Sequence, residues 1–259
     1  MAAAWLIALT MQMWAQVPAS NTAPSYTADG IVNAATGDAG ILAPNMIASL
    51  YGTNLAWNTH PVTAGDLDGG TLPISLEGVS VFVDAIRTNL FYVSPGQINF
   101  LIPYEIVQPT VPVFVSRQGI VGPEVTIQLA IASPGLFQWN GNFALAEHAD
   151  GTLISASAPA RPGEVVVLYA DGLGRTTPDV SSGYIASTAF SLRYLSELEI
   201  LLNGSPCPPA DIYYAGLTPG YAGLYQINLR LPDTLPANLQ IQVALGGQTS
   251  PAGVQLLAE

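Results

Sequence analysis

The sequence predicts an all-β chain built as two tandem antiparallel β-sandwiches joined by a short structured connector. Three observations lead there. Short runs alternate apolar and polar residues, as half-buried strands do: Val79-Ser80-Val81-Phe82-Val83-Asp84 is one and Gln97-Ile98-Asn99-Phe100-Leu101-Ile102-Pro103 another. Turn formers are abundant, with 25 Gly and 21 Pro in 259 residues. The runs also recur in the second half, where Gln226-Ile227-Asn228-Leu229-Arg230-Leu231-Pro232 repeats the pattern closed by proline.

The recurrence keeps order and spacing. Pro44 and Pro162, Tyr51 and Tyr169, and Leu55 and Leu173 share one offset (162 − 44 = 118). Val79 to Asp84 has its counterpart in Leu198-Glu199-Ile200-Leu201-Leu202-Asn203. Phe91-Tyr92 matches Tyr213-Tyr214 (213 − 91 = 122), and the Gln-Ile-Asn runs match at 226 − 97 = 129. The step of seven residues (129 − 122) is an insertion in the second copy, within 217–223. Val113 and Gly119 then match Ile241 and Gly247 (241 − 113 = 128). Loop insertions between preserved strands are what a duplicated β-domain shows.

The expected organisation is a first sandwich over 31–132, a connector over 133–160 and a second sandwich over 161–259, each of roughly seven strands. Residues 20–30 read as a flexible leader. In the connector, Asp150-Gly151 stands between two short alternating runs, a hairpin signal.

Composition limits the partners. Hydrophobic residues make up 49% and charged residues 9%, against a usual ~25% charged. Eighteen acids face six arginines, with no lysine and a net charge of -12. No basic face can be assembled, which argues against a nucleic-acid partner. The first fifteen residues are apolar and are followed by small residues suited to signal-peptidase cleavage after Ala15 or Ala19. A signal peptide over 1–19 is therefore expected, although the usual basic start is missing; a buried N-terminal helix is the alternative. The mature protein would be exported, secreted or held at the cell surface, with no membrane insertion after signal removal. Cys207 is the single cysteine. It reads as a small buried residue, the alternatives being a reactive thiol or an intermolecular bridge.

Three stretches carry a resemblance. Leu90 to Phe100, Pro159 to Tyr169 and Ala215 to Asn228 are similar to the uncharacterised C-terminal domain family of secreted acidobacterial (Solibacter-type) proteins. The similarity runs from about Ile31 to the end. It implies an exported bacterial protein, and it brings no functional residues, because that family has no established activity. Each half, with proline, an apolar strand and, in the first, Gly52-Thr53-Asn54-Leu55, also resembles the opening of an IPT/TIG domain. That resemblance implies immunoglobulin-like sandwiches of the early set.

Chemistry is sparse. His60 and His148 could each be imagined in a triad, but no nucleophile elbow accompanies them. Two distant histidines and one cysteine do not make a zinc site. Asp66-Leu67-Asp68-Gly69-Gly70 with Glu77 at the twelfth position has the ends of a calcium loop, but the residues between lack ligands, so an acidic turn is expected. No catalytic residue, metal or cofactor is expected. Loop aromatics are the candidate binding residues: Tyr221, in the insertion peculiar to the second copy, with Trp57 and Trp139, which are expected against the domain junction. Arg161 and Glu164, where the second sandwich begins, are expected to help fix the angle between the domains. The favoured function is a non-catalytic module for cell-surface or extracellular adhesion, holding a protein or polysaccharide through loops. The alternatives are a secreted hydrolase of glycans or esters and a structural spacer or assembly domain.

Overall fold

In a computed structural model, residues 22–236 and 239–259 are described; the expected signal peptide lies outside them. Four sheets form two sandwiches. In the first half, a sheet of five strands runs Ile31–Asn33, Ile47–Tyr51, Gln97–Leu101, Leu90–Val93, His60–Pro61. The sheet facing it centres on Thr110–Arg117, between Val79–Val83 and Val125–Leu129. The second half repeats this plan. Val165–Asp171, Tyr225–Arg230 and Ile212–Leu217 lie side by side in one sheet, and Glu199–Leu202 and Leu239–Leu245 in the other. The tandem immunoglobulin-like sandwich read from the sequence is thus the fold.

Alternation explains the packing. Ala48, Leu50, Ile98 and Phe100 point inward and are fully buried, as are Val166, Leu168, Ile227 and Leu229 in the second half. Ser49, Tyr51, Gln97 and Asn99 lie on the other face of the same strands. Each buried aliphatic or aromatic side chain stabilises the sandwich by roughly 1.5–3 kcal/mol.

Among the described residues, strands pair antiparallel except at one place in each half, and an isolated parallel bridge joins Ala160 to Ala258. Ile41–Leu42 pairs parallel with Val125–Leu129, and Phe143–Ala144 pairs parallel with Gln255–Leu256. Both segments sit beside the last strand of their own half, and joining it in the same direction is where the entering chain finds free backbone groups.

Two stretches are more tightly built than their composition suggests. Residues from 22 onward are docked: Ser25 bridges Thr53, and the buried Tyr26 hydroxyl donates to the Pro123 carbonyl (2.6 Å) and accepts from the Val115 amide (2.8 Å). The flexible leader expected over 20–30 is corrected for these residues, because one buried tyrosine anchors a segment that is otherwise polar. Segment 133–160 supplies Gly135–Leu136 and Ala146–His148, which pair with Val165–Asp171. At Asp150-Gly151 the chain turns back, with the His148 amide on the Thr152 carbonyl (2.8 Å).

The halves interlock. The Leu72 amide donates to the Gly183 carbonyl (2.9 Å), the Tyr104 amide to Ser182 Oγ (2.7 Å), and Arg175 Nη2 to the Ile106 carbonyl (2.9 Å).

Candidate functional site

The seam between the sandwiches gathers the most unusual chemistry. Asp171 closes the strand Val165–Asp171 and is completely buried. Its Oδ1 accepts from the Ile47 amide of the first sandwich (3.1 Å) and from the Gly172 amide (2.7 Å). Its Oδ2 has no hydrogen-bond partner among the described residues. Burial pushes its carboxyl up to about 8, against the pull of the two amides. Beside it, buried Tyr225 accepts from Asn45 Nδ2 (2.9 Å) and donates to the Gly174 carbonyl; burial raises its phenol. These groups are sealed, so they join the halves and meet no ligand.

Above the seam stands the 217–224 loop. Its Gly223 adopts φ +66 and lies against Leu101, Ile47 and the Asn45 carbonyl of the first sandwich, where a Cβ would collide. Tyr221 projects from this loop and is 57% exposed. On the strand Val165–Asp171, the Tyr169 hydroxyl donates to Glu147 Oε2 (2.8 Å). The Tyr169 phenol is pushed up to about 12, first by burial, then by the Glu147 hydrogen bond and charge, and last by Tyr221. Tyr169 and Glu147 thus form one hydrogen-bonded aromatic and acidic pair, while Tyr221 stands exposed on the loop that packs on the first sandwich through Gly223.

The other two aromatic candidates lie elsewhere. Trp57 stacks under the Arg117 guanidinium, 3.6 Å from carbon to ring centroid, and its Nε1 donates to Gln118 Oε1 (3.3 Å). All these partners belong to the first sandwich, so Trp57 does not pack at the junction. Trp139 sits opposite Phe143 in a hairpin of the second sandwich, its Nε1 buried without a partner among the described residues. Arg161 is largely exposed and faces Glu259 (3.7 Å), while Glu164 turns to His148; neither reaches the first sandwich through these contacts.

Both histidines are held between acceptors. His60 Nε2 is 3.1 Å from Asp66 Oδ2 and Nδ1 is 3.4 Å from Glu77 Oε1. The two ends of the calcium-like spacing therefore do meet, but across an imidazole. Asp66 is held down to about 2, chiefly by the Thr63 hydroxyl, then by His60 and the Thr63 amide. His148 Nδ1 lies 3.1 Å from Glu164 Oε1, and Nε2 lies 3.1 Å from the Ala158 carbonyl. A cavity of about 440 Å³ opens beside it, lined also by Asp150, Thr152 and Arg161. Thr152, the hydroxyl in that lining, donates to Asp150 (2.7 Å) and not to His148. No group of three metal-ligating side chains is assembled for an ion among the described residues. Cys207 is partly buried, and burial raises its thiol.

No family model matches the chain, and no curated protein matches it. Among solved structures it is similar to the plexin A4 extracellular region, at 9% identity over 98% of this chain and 20% of that chain, with a TM-score of 0.30. It is similar to the surface glycan-binding protein PbSGBP-B from Prevotella bryantii, at 15% identity over 89% of this chain and 42% of that one, with a TM-score of 0.28. It is also similar to the tandem Ig repeats of Dlar, at 10% identity over 92% and 95%, with a TM-score of 0.22. The chain spans a fifth of the plexin region and less than half of the glycan-binding protein. At such TM-scores these likenesses carry no argument about function.

Proposed function

We propose that this chain is a non-catalytic, exported binding module that holds a polysaccharide or protein at the cell surface or outside the cell. The observation that carries the reading is Tyr221: an exposed aromatic, on a loop the duplicated fold does not need, which packs on the first sandwich through Gly223 at the seam. A tyrosine on a braced loop offers large contact area at low entropic cost. The expected signal peptide over 1–19 and the absence of lysine fit an exported protein with no affinity for nucleic acid.

A secreted hydrolase is the second reading, favoured by the cavity beside His148 and Glu164. Against it, both ring nitrogens are engaged and the nearby hydroxyl serves Asp150. Assembly through sheet edges finds little support, since Ile31–Asn33, His60–Pro61 and Thr176–Thr177 are edge strands of two or three residues, one containing proline.

Co-sedimentation of the purified protein with insoluble polysaccharides and with the producer's cell envelopes separates these readings when released reducing sugar is measured in the same tubes. Saturable pelleting without sugar release, weakened by Tyr221→Ala, is the expected result. Released sugar would overturn it in favour of a hydrolase.

A further inference from the structure

The outer faces of the two central sheets carry the same side chains in the same places. Tyr51 pairs with Gln97 across the first sheet, and Tyr169 with Gln226 across the second. Tyr92 pairs with Asn99, and Tyr214 with Asn228. Both halves place a β-bulge just before this second tyrosine, between Leu90 and Tyr92 and between Ile212 and Tyr214, and the extra residue is aromatic each time, Phe91 or Tyr213. The amides are tied identically: Gln97 Nε2 donates to Asn99 Oδ1 (2.8 Å), and Gln226 Nε2 to Asn228 Oδ1 (3.0 Å).

Packing does not require this. The buried positions alternating with these residues have drifted: Ala48 has become Val166, Phe100 has become Leu229, and Val93 has become Ala215, while Leu50 and Ile98 kept their type. A duplicated fold is expected to hold its core and lose its surface. Here the outward Tyr-Gln-Asn-Tyr set is kept. Nor does strand preference favour it, since asparagine is depleted in strands, and bulges re-aim side chains for a purpose.

The geometry leaves each ladder half used. Asn99 and Asn228 accept through Oδ1, and no hydrogen bond among the described residues uses their Nδ2 or the Oε1 of Gln97 or Gln226. Each face therefore presents a fixed donor and acceptor beside a tyrosine ring. Charge is scarce: Glu147 is bound to Tyr169, and Arg230, at the end of the second face, is paired with Asp211 and Asp233. Fixed amides beside an aromatic ring, in a molecule of net charge -12, suit an uncharged, hydroxyl-rich polymer and repel an acidic one.

We infer that the outer faces at Tyr51/Gln97/Asn99 and Tyr169/Gln226/Asn228 are two equivalent subsites for a neutral polysaccharide, on either side of the Tyr221 loop. This rests on the binding-module reading and gives it a ligand class and a valency. Two linked subsites on one polymer bind with an avidity about 10²–10⁴ above either alone.

The test is affinity electrophoresis of the full chain through gels containing soluble β-glucan, xylan or galactomannan, with alginate as the acidic control. Asn99→Asp and Asn228→Asp are the informative variants, because a carboxylate still accepts from the neighbouring glutamine while the outward donor is gone. We expect retardation in a neutral gel and none in alginate. Each single variant should bind about a hundredfold more weakly, which is the loss of one linked subsite, and the double variant should run free, with circular dichroism unchanged. Gln97→Ala and Gln226→Ala give a second pair should the aspartates perturb the fold. Wild-type retardation by all four variants, alongside loss in Tyr221→Ala, overturns the two-subsite inference and leaves the binding module standing. Retardation in alginate alone, or none in any neutral gel while envelopes still pellet the protein, overturns the inference as well. Failure in both gels and envelopes overturns both readings.

Discussion

The same end of each sandwich is closed by a different side chain, a guanidinium in one and a buried carboxyl in the other. In the first, Thr53 bridges the entering residue Ser25, and fully buried Arg117 donates to the carbonyls of Asn54 and Thr22 while stacked on Trp57. In the second, the position of Thr53 is held by Asp171 (171 − 53 = 118) and that of Arg117 by Leu245 (245 − 117 = 128). Gly135 pairs with Asp171, and the carboxyl accepts amides where the guanidinium met carbonyls. The contrast follows from what lies beyond. A free end is left with carbonyls of turns and of the incoming chain, which a cation satisfies. A joint meets the amide starting the next sheet, at Ile47, which a carboxyl satisfies. A duplicated framework thus separates into terminus and joint by a few side chains at one end.

The left-handed residue just past these strands sharpens the comparison. Asn54 has φ 57 and Gly172, its counterpart, φ 71. Asparagine tolerates that conformation where space allows. At Gly172 a Cβ would fall on the Ser133 carbonyl oxygen, so the joint admits glycine alone. Gly172→Asn is expected to cost more than about 3 kcal/mol, since backbone must move, whereas Asn54→Gly should cost at most about 1 kcal/mol. Urea unfolding of the two variants measures both, and equal losses would show that the joint imposes no constraint of its own.

Arg117→Met comes next. It removes the donors to Asn54 and Thr22 and the ring contact with Trp57, while keeping much of the apolar stem. A loss of about 2–3 kcal/mol is expected, from two buried carbonyls left unpaired. Leu245→Met, at the equivalent position of the joint, should cost less than about 1.5 kcal/mol. The urea midpoints should separate accordingly, and a neutral Arg117→Met would remove the case for a cation-closed end.

How far the sequence reveals this depends on the kind of signal. Strands of five or more residues announced themselves, because alternation over Gln97–Leu101 or Val79–Val83 has one physical reading. Two-residue strands such as Gly135–Leu136 and Phe143–Ala144 have no period, so 133–160 read as a connector although its backbone pairs with Val165–Asp171 and Gln255–Leu256. Asp66 and Glu77 gave a spacing that is real in space, but the chain folds His60 between them. Tyr51, Tyr169 and the Gln-Ile-Asn runs were visible as markers of duplication. Their place on the outward face follows only from register, since a shift of one residue would have turned them inward. Asp171 gave no sign, because nothing in Ala170-Asp171-Gly172 tells that a second sandwich covers it.

Asp171 also makes the joint sensitive to pH in a way the free end is not. Its carboxyl lies near 8 when folded and about 3.9 when unfolded. Between those values the folded chain holds a proton that the unfolded chain has released. This contribution is fully present at acidic pH and is lost as pH rises from about 4 to about 8, with a slope of at most about 1.4 kcal/mol per pH unit. The groups facing it are neutral at those pH values: Tyr225 and the Ile47 and Gly172 amides. Asp171→Asn should flatten the decline, seen by comparing urea midpoints from pH 5 to pH 8. An unchanged decline would place the titrating group elsewhere.

Tyr225 gives the smallest effect and the most local reading of the joint. Its counterpart in the first copy is Gly96 (225 − 129 = 96), which has no side chain to send across. Tyr225 fills that space and, with its hydroxyl, joins Asn45 Nδ2 of one sandwich to the Gly174 carbonyl of the other. Tyr225→Phe keeps the ring and its burial, so hydrophobic contact is unaltered. It strands one donor and one acceptor, for an expected loss of about 1 kcal/mol. Because Asn45→Ala removes the same donor, the double variant should cost less than the two single losses added, by about 0.5 kcal/mol or more. Strict additivity in that cycle would mean the hydroxyl and the amide stabilise their own halves separately, and the joint would then rest on Asp171, the packing of Gly223 and the hydrogen bonds of Leu72, Tyr104 and Arg175 across it.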